Sequence, residues 1–296
     1  MLNLHEPIHY HLYTLRSRKP LNTLSDRTEH EGALVRIGAG VGVLHPWPEF
    51  GDLPLARQLS ILSKGGFTGH IERLRVCCRL DGQARKGGYH SLMGLTCPKS
   101  HVNFPGSGPI VKVKCSTDMA AEAKRLAGIE AEKLRLDFNA QPSVDEFLAF
   151  VKALDKRTLE RIDFVEDPFR ADQYWWDKIQ RRVPFDLACD REGVRARVAV
   201  LKPTIENPTE RKERVVFTSY MDHPIGQYFA VREAAAYYNT HPLQEEVCGL
   251  ATHTLFEPDE FIERVQMDAE GRLIPVAGTG LGFDDLLEAL PWKKLA

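Results

Sequence analysis

Short apolar runs and longer stretches with helical spacing take turns along this chain from about residue 110 onward. The runs read V-K-V-K-C at 111–115, L-R-L-D-F-N at 134–139, R-I-D-F-V-E at 161–166, P-F-D-L-A-C-D at 184–190, A-V-L-K at 199–202, R-V-V-F-T-S at 214–219 and E-V-C-G-L at 246–250. H-S-L-M-G-L-T at 90–96 is available as the first of the series. Between the runs, Thr117-Asp118 caps a helical pattern with Ala120, Ala123, Leu126 and Ala127 on one face, and Ser143 with Glu146 forms a capping box ahead of Phe147, Phe150, Val151 and Leu154. The alternation predicts repeated βα units on a parallel sheet, and a series of this length predicts a barrel. The first 85 residues differ. Y-H-L-Y-T-L-R and A-L-V-R-I-G-A-G-V-G-V-L predict a hairpin or small meander, and L-P-L-A-R-Q-L-S-I-L-S-K predicts one helix. An α+β module over residues 1–85 therefore precedes the barrel, with the boundary expected in the Gly- and Lys-containing stretch 81–88.

Composition acts by exclusion. A formal charge of −2, from 39 Lys and Arg against 41 Asp and Glu, leaves no electrostatic footprint for nucleic acid or an anionic membrane. No apolar run approaches the roughly 20 residues of a membrane span, and M-L-N-L-H-E-P-I-H-Y-H lacks the basic-then-apolar order of a secretory leader. The expectation is a cytoplasmic protein with neither partner, its oligomeric state left open, a monomer included. Cys77, Cys78, Cys97, Cys115, Cys189 and Cys248 contain no C-x-x-C pair, so they are expected to pack as small hydrophobes rather than to form disulfides or a zinc site.

The chemistry lies in which polar residues share a strand face. Side chains alternate across a strand, so Lys112 and Lys114 share one face while Val111 and Val113 share the other. With the valines on the helix layer, both lysines point into the barrel, where unpaired ammonium groups are costly. Asp137, Glu166 and Asp190 end three successive runs and Lys202 ends the next; polar residues at the carboxyl ends of barrel strands converge on one mouth. Three carboxylates there make an oxygen-rich site suited to Mg²⁺. Such a cation stabilises the two negative oxygens formed when a carboxylate substrate loses its α-proton, and a lysine with a lowered pKa can take that proton. Each signal alone is weak: a lone K-x-K usually marks a solvated strand edge, and a lone Asp caps a helix. Their joint, ordered occurrence favours a site. Arg191 and Glu192 read as surface groups or neighbours of the site, His45, His223 and His253 as structural, and Trp175 and Trp176 as helix-to-barrel packing.

K-x-K, then Asp with Asn two residues on, E-D-P, Asp, and K-P on successive strands resembles the enolase superfamily. Within it, L-R-L-D-F-N, L-K-P-T, T-S-Y-M-D-H-P-I-G at 218–226, C-G-L at 248–250 and G-V-L-H-P-W-P-E-F most resemble the o-succinylbenzoate synthases of menaquinone biosynthesis. The resemblance implies a modified TIM barrel of (β/α)7β type over residues 86–254, and an α+β capping domain of residues 1–85 with part of the tail, about 255–296. It implies that Lys114 is the general base and then the general acid, and that Lys202 stabilises the enediolate. Asp137, Glu166 and Asp190 would hold Mg²⁺, with Mn²⁺ as a substitute. Lys112, Asn139, Ser219 and Gly249 would contact a small carboxylate substrate, with Lys112 also tuning Lys114. The rival within the superfamily is an N-acylamino acid racemase, which needs Lys114 and Lys202 as two bases. A dipeptide epimerase fits less well, since G-L-A-T-H-T at 249–254 replaces its Asp-x-Asp. A non-catalytic barrel is opposed by the intact lysines.

The chain departs from the family pattern at Arg191, where Glu is common. The connections from Asp190 to Lys202 and from Thr204 to Val215 are too short for full helical crossovers, and residues 97–108 have no helical pattern, so up to three outer helices are expected to be missing or reduced. Leu21–His30 and Pro46–Gly51 are expected to close over bound ligand.

Overall fold

The computed structural model describes residues 6–22, 24–190, 193–208 and 213–296. Arg191 and Glu192, and part of the shortened connection before residue 214, lie outside the described residues. Two compact units emerge: Met1–Ser100, Lys202–Thr209 and Phe217–Ala296 form one, and His101–Leu201 with Glu210–Val216 form the other.

The first unit opens with β1 (Ile8–Arg16), β2 (Glu29–Ile37) and β3 (Gly40–Leu44), an antiparallel meander as expected. Gly38, at φ +60°, makes the tight turn between β2 and β3. Helix α1 (Leu55–Ser63) matches the expected helix, but a second, longer one follows, α2 (Gly69–Gly87), begun by Thr68, whose hydroxyl accepts from the Ile71 N–H, and ended by left-handed Gly88. The stretch 81–88 is thus mostly the last turns of α2 and not a linker. Gly40 lets α2 lie directly on β3: a Cβ there would stand 1.8 Å from the Cys78 carbonyl oxygen. Ala33, Val35, Leu62, Ile71, Leu74 and Cys78 form the core between sheet and helices.

The second unit is a seven-stranded sheet in sequential order: β4 (Val102–Asn103), β5 (Ile110–Lys114), β6 (Lys133–Asp137), β7 (Ile162–Glu166), β8 (Asp186–Cys189), β9 (Val198–Leu201) and β10 (Arg214–Phe217). Each pair from β4 to β9 is parallel. Sequential parallel strands are the wall of a barrel. The helices α3 (Met119–Ala127), α4 (Val144–Ala153), α5 (Lys156–Arg161) and α6 (Gln173–Gln180) pack on its outer face. The capping box of Ser143 and Glu146 is present, and Asp118 caps α3, which stops at Gly128. Val111, Val113, Leu134, Leu136, Val165 and Leu187 meet Leu126, Phe147, Phe150, Trp176 and Ile179 in one cluster. Trp176 packs as expected, whereas Trp175 is 37% exposed and carries Lys178 over its ring. Among the described residues no helix follows β4, β8 or β9, as the short connections predicted.

The inner face is lined by Phe164, Ala188, Val198, Val200 and Val216. Toward the amino ends of the strands, buried Arg135 donates from Nε to Asp163 at 2.8 Å, and Arg214 reaches the same carboxylate at 2.9 Å. Both guanidinium groups lie over the Phe164 ring, so these interior charges are compensated.

The expected first strand at 90–96 is a turn with an isolated bridge from His90 to Gly280. Gly94 at φ +76° breaks any extended path there, and β4, only two residues long, takes the first place. The expected strand at 246–250 is reduced to two bridges, Cys248 to Ser100 and Gly249 to Thr218. These join the residue just before β4's lead-in to the residue just after β10, the place of an eighth strand.

The rest of the first unit contains α7 (Pro224–Thr240), the hairpin of β11 (Gln266–Met267) and β12 (Leu273–Ile274), α8 (Asp284–Ala289) and β13 (Lys293–Lys294), which adds an edge to β1. No helix among the described residues is long and apolar enough to cross a membrane. All six cysteines are buried thiols. His223 caps α7, its Nδ1 accepting from the Ile225 N–H, and burial lowers it to about 3, so it is neutral. Beside it, Asp222 is 1% exposed and neither of its carboxyl oxygens has a hydrogen-bond partner among the described residues. Burial pushes this carboxyl up to about 7, against a smaller opposing pull from the nearby Thr204 hydroxyl.

In the unfolded chain Asp222 ionises near pH 4, so its protonated form favours the fold fully below that pH, and the contribution is lost as the pH rises through about 7. Asp222→Asn should therefore gain stability relative to the parent between pH 4 and pH 8, by on the order of 2–4 kcal/mol. Urea unfolding at the two pH values checks this; a constant difference between the proteins would contradict it.

Candidate active site

Register assembles the strand-end cluster of the second unit. In a parallel sheet, paired residues point the same way, and Lys114 pairs with Asp137, Asp137 with Glu166, and Glu166 with Ala188. Asp190, two residues past Ala188 and just beyond β8, is in phase with them. Because Val111 and Val113 are fixed in the helix-facing cluster, Lys112 and Lys114 are turned to the opposite face, as their alternation predicted.

There the Lys112 ammonium stands between two carboxylates, 3.0 Å from Asp137 Oδ2 and 2.7 Å from Glu166 Oε2. All three side chains are nearly excluded from solvent. Burial works against the charge on Lys112, but Asp137, Glu166 and Asp190 outweigh it and hold Lys112 above the usual lysine range. The backbone immediately after these strands is unusual: Asn139, Ala140 and Asp167 are non-glycine residues in the left-handed region. This turn brings the Asn139 N–H to 3.1 Å from Asp137 Oδ1 and the Ala140 N–H to the Asp167 carbonyl. Asn139 therefore orients Asp137 through its backbone.

The chemistry of this donor set suits a hard divalent cation, and two of the three expected ligands already converge on one positive charge. Among the described residues, however, no three acidic, histidine or cysteine side chains form a ready-made metal cluster. Asp190 is placed by phase and by its charge on Lys112.

Lys202, Ser219 and Gly249 belong to the first unit. Lys202 is the first residue after β9, in phase with Val198 and Val200. Its N–H donates to Glu206 Oε1 at 2.7 Å, and its ammonium stands 5.5 Å from the centre of the Tyr220 ring. Ser219 and Gly249 come together, the Ser219 N–H donating to the Gly249 carbonyl at 3.2 Å while the Gly249 N–H donates to Phe217 O at 2.7 Å. The Ser219 hydroxyl is buried in a short hydrogen bond with Thr252. Trp47, in the segment expected to move, is fully buried: its indole N–H donates to the Tyr220 carbonyl and its backbone N–H to Asp52. Pro46 and Trp47 are thus an anchor, and Pro48–Gly51 are the part of the segment open to solvent. Glu49 ties this turn to the 21–30 segment through Asn22 and Arg27; Thr23 lies outside the described residues. His45 and His253 are neutral, both lowered by burial, His253 to about 4. Sequence reasoning passed over Arg73, Asp52 and Tyr220, because their partners lie up to 173 positions away and no local pattern marks them.

Residues 8–84 match the family described as O-succinylbenzoate synthase, N-terminal domain. A curated relative, o-succinylbenzoate synthase of Bdellovibrio bacteriovorus, is 32% identical over 97% of this chain and 98% of its own length. Among solved structures, muconate lactonizing enzyme from Mycobacterium smegmatis complexed with muconolactone superposes with a TM-score of 0.77 at 16% identity, over 96% of this chain and 98% of that one. A member of the enolase superfamily from Roseovarius nubinhibens complexed with magnesium gives 0.72 at 14% identity, over 98% of each chain. The fold is therefore a modified TIM barrel of (β/α)7β type with some outer helices shortened, plus an α+β domain of the capping kind. The chain belongs to the o-succinylbenzoate synthase family of enzymes, within the enolase superfamily.

Proposed function

We propose that this chain removes the α-proton of 2-succinyl-6-hydroxy-2,4-cyclohexadiene-1-carboxylate and releases the 6-hydroxyl as water, yielding o-succinylbenzoate. The observation that carries the reading is the shared strand face on which Lys112 bridges Asp137 and Glu166 while Lys114 stands in register with Asp137. Lys114, as a neutral amine, takes the α-proton, and the C–H electron pair moves into the carboxylate as an enediolate. The Lys112 ammonium repels a second positive charge on the same strand, which favours the neutral form that a base needs. Lys114 then returns its proton to the departing hydroxyl, the electrons flow back, and the ring becomes aromatic, which makes the overall step favourable. Lys202 supplies fixed positive charge for the enediolate. Asp137, Glu166 and Asp190 would hold Mg²⁺, or Mn²⁺ in its place, which when bound supplies electrostatic stabilisation of the charge developing on the substrate carboxylate. Lys112, Asn139, Ser219 and Gly249 complete the proposed substrate contacts, Asn139 acting at least through its backbone hold on Asp137. In this reading, residues 1–85 with about 255–296 cover the reaction and residues 86–254 carry it out.

Asp137→Ala, Glu166→Ala and Asp190→Ala should each abolish turnover, because each removes an anionic ligand from a cation with few protein partners. EDTA should inactivate the enzyme and added Mg²⁺ restore it; full turnover by the chelated enzyme would contradict the metal assignment.

Substrate choice separates the synthase from the racemase. Incubation with the cyclohexadiene should remove the diene absorbance, and Lys114→Ala should stop this entirely, while Lys202→Arg retains a trace through its positive charge. The same enzyme incubated with N-acetyl-methionine enantiomers is followed by optical rotation. Efficient racemisation without dehydration would replace the proposal with an N-acylamino acid racemase.

A further inference from the structure

We propose that the N-terminal module positions Lys202: Arg73 of α2 fixes its backbone through the Pro203 carbonyl, and the Tyr220 ring, anchored by Asp52 and Trp47, holds its ammonium. The inference rests on the reading of Lys202 as the charge that stabilises the enediolate.

The segment Lys202–Thr209 groups with the first unit, although β9 immediately before it belongs to the second. Arg73 explains why. It is 4% exposed and uses three nitrogens: Nε donates to the Pro203 carbonyl at 2.7 Å, one terminal nitrogen to Asn207 Oδ1 at 3.1 Å and the other to Glu233 Oε2 on α7 at 2.6 Å. Its guanidinium also lies over the Phe229 ring of α7. A rigid planar fork with three directions filled is a clamp that a lysine cannot reproduce. One of those directions is the carbonyl of the residue that follows Lys202. Beside it, α2 comes so close that a Cβ on Gly69 would stand 3.2 Å from the Ile205 carbonyl oxygen. Lys202 itself starts a turn, its carbonyl accepting from the Ile205 and Glu206 N–H groups.

The side chain is held from another direction. At 5.5 Å from the ring centre, the ammonium is within cation–π range, and a ring 4% exposed acts where water does not dilute the attraction. The ring is fixed at both ends. Its hydroxyl donates to Asp52 Oδ2 at 2.9 Å, and its carbonyl accepts from Trp47 Nε1 at 2.8 Å. Asp52 also accepts from the Trp47 N–H and lies 3.2 Å from His70 of α2. Burial raises the Asp52 carboxyl, but His70, the Trp47 N–H and the Tyr220 hydroxyl together hold it below its usual range, so it acts as an anionic anchor. The next residue, Met221, is in the left-handed region at φ +51°, a costly conformation that turns the chain sharply after the ring. Trp47, Tyr220, Leu15, Leu21 and Phe256 pack around the assembly.

The test compares kcat and KM for the cyclohexadiene substrate in full-length Tyr220→Phe, Tyr220→Leu, Arg73→Lys and Lys202→Ala enzymes, with Mg²⁺ present. Removing the ring in Tyr220→Leu should lower kcat about tenfold with KM nearly unchanged, whereas Tyr220→Phe, which keeps the ring, should stay within about threefold of the parent. Arg73→Lys should likewise lower kcat and spare KM. A wild-type kcat in Tyr220→Leu, or equal losses in the Phe and Leu variants, overturns the role of the ring, as does a loss of kcat matched by a rise in KM. Should Tyr220→Leu not accumulate as folded enzyme, Arg73→Lys decides alone, and a parental kcat there overturns the inference. Lys202→Ala separates the two levels: if it keeps parental turnover, the assigned role of Lys202 fails, and if it is inactive while the other variants are normal, only the positioning fails.

Discussion

An ammonium shared by two nearly buried carboxylates is the interaction on which the barrel wall depends. Lys112 on β5, Asp137 on β6 and Glu166 on β7 are neighbours in the sheet. Removing Lys112 would leave two neighbouring carboxylates without their counter-charge where water hardly reaches, a loss of about 3–5 kcal/mol for a broken buried pair. The arrangement is possible because the other face of the same strands is wholly apolar and committed to the helices. A register shift of one residue would drive the lysines into Leu126 and Phe150 and the valines into the carboxylates, so the charge pattern also specifies the fold. The second charged layer, Arg135 and Arg214 around Asp163, applies the same logic toward the amino ends of the strands.

The first unit solves a different problem, that of making a short helical layer hold a loop. Close approach at Gly40 seats α2 on β3, and that seating orients Arg73 and His70. Arg73 then clamps the segment after Lys202, and His70 supports the anchor of the Tyr220 ring. Trp47, which the sequence suggested as part of a moving cover, instead ties the loop after β3 to the turn that carries Tyr220. Rigid support of a charged side chain lowers the reorganisation needed when negative charge develops on a substrate.

Much of this was legible in the sequence where strand alternation and strand-end position act locally. The facing of Lys112 and Lys114, the capping box at Ser143, the N-terminal hairpin and the shortened outer helices all follow from spacing within a few residues. The misses have physical causes. Helix α2 ends in the stretch 81–88, whose Gly82 and Gly87 favour a boundary over a helix, although Thr68 and Gly88 mark both of its ends. Residues 90–96 offer the apolar side chains Leu92, Met93 and Leu95 for a strand, but the left-handed Gly94 interrupts any extended path among them. The strand expected at 246–250 keeps only the bridges at Cys248 and Gly249, since pairing there depends on Ser100 and Thr218, far away in sequence. The same reason hides Arg73 and Tyr220. Their partners are brought together only by the completed fold.

The most direct test of the proposed Mg²⁺ site at Asp137 and Glu166 is thermal unfolding with increasing Mg²⁺ in the parent protein and in an Asp137→Asn, Glu166→Gln double variant. A ligand that binds only the folded state raises Tm with concentration, by about 2.7 kcal/mol of stabilisation at a hundredfold excess over Kd. The account predicts a Mg²⁺-dependent rise in the parent that disappears in the double variant. An equal rise in both proteins would contradict it.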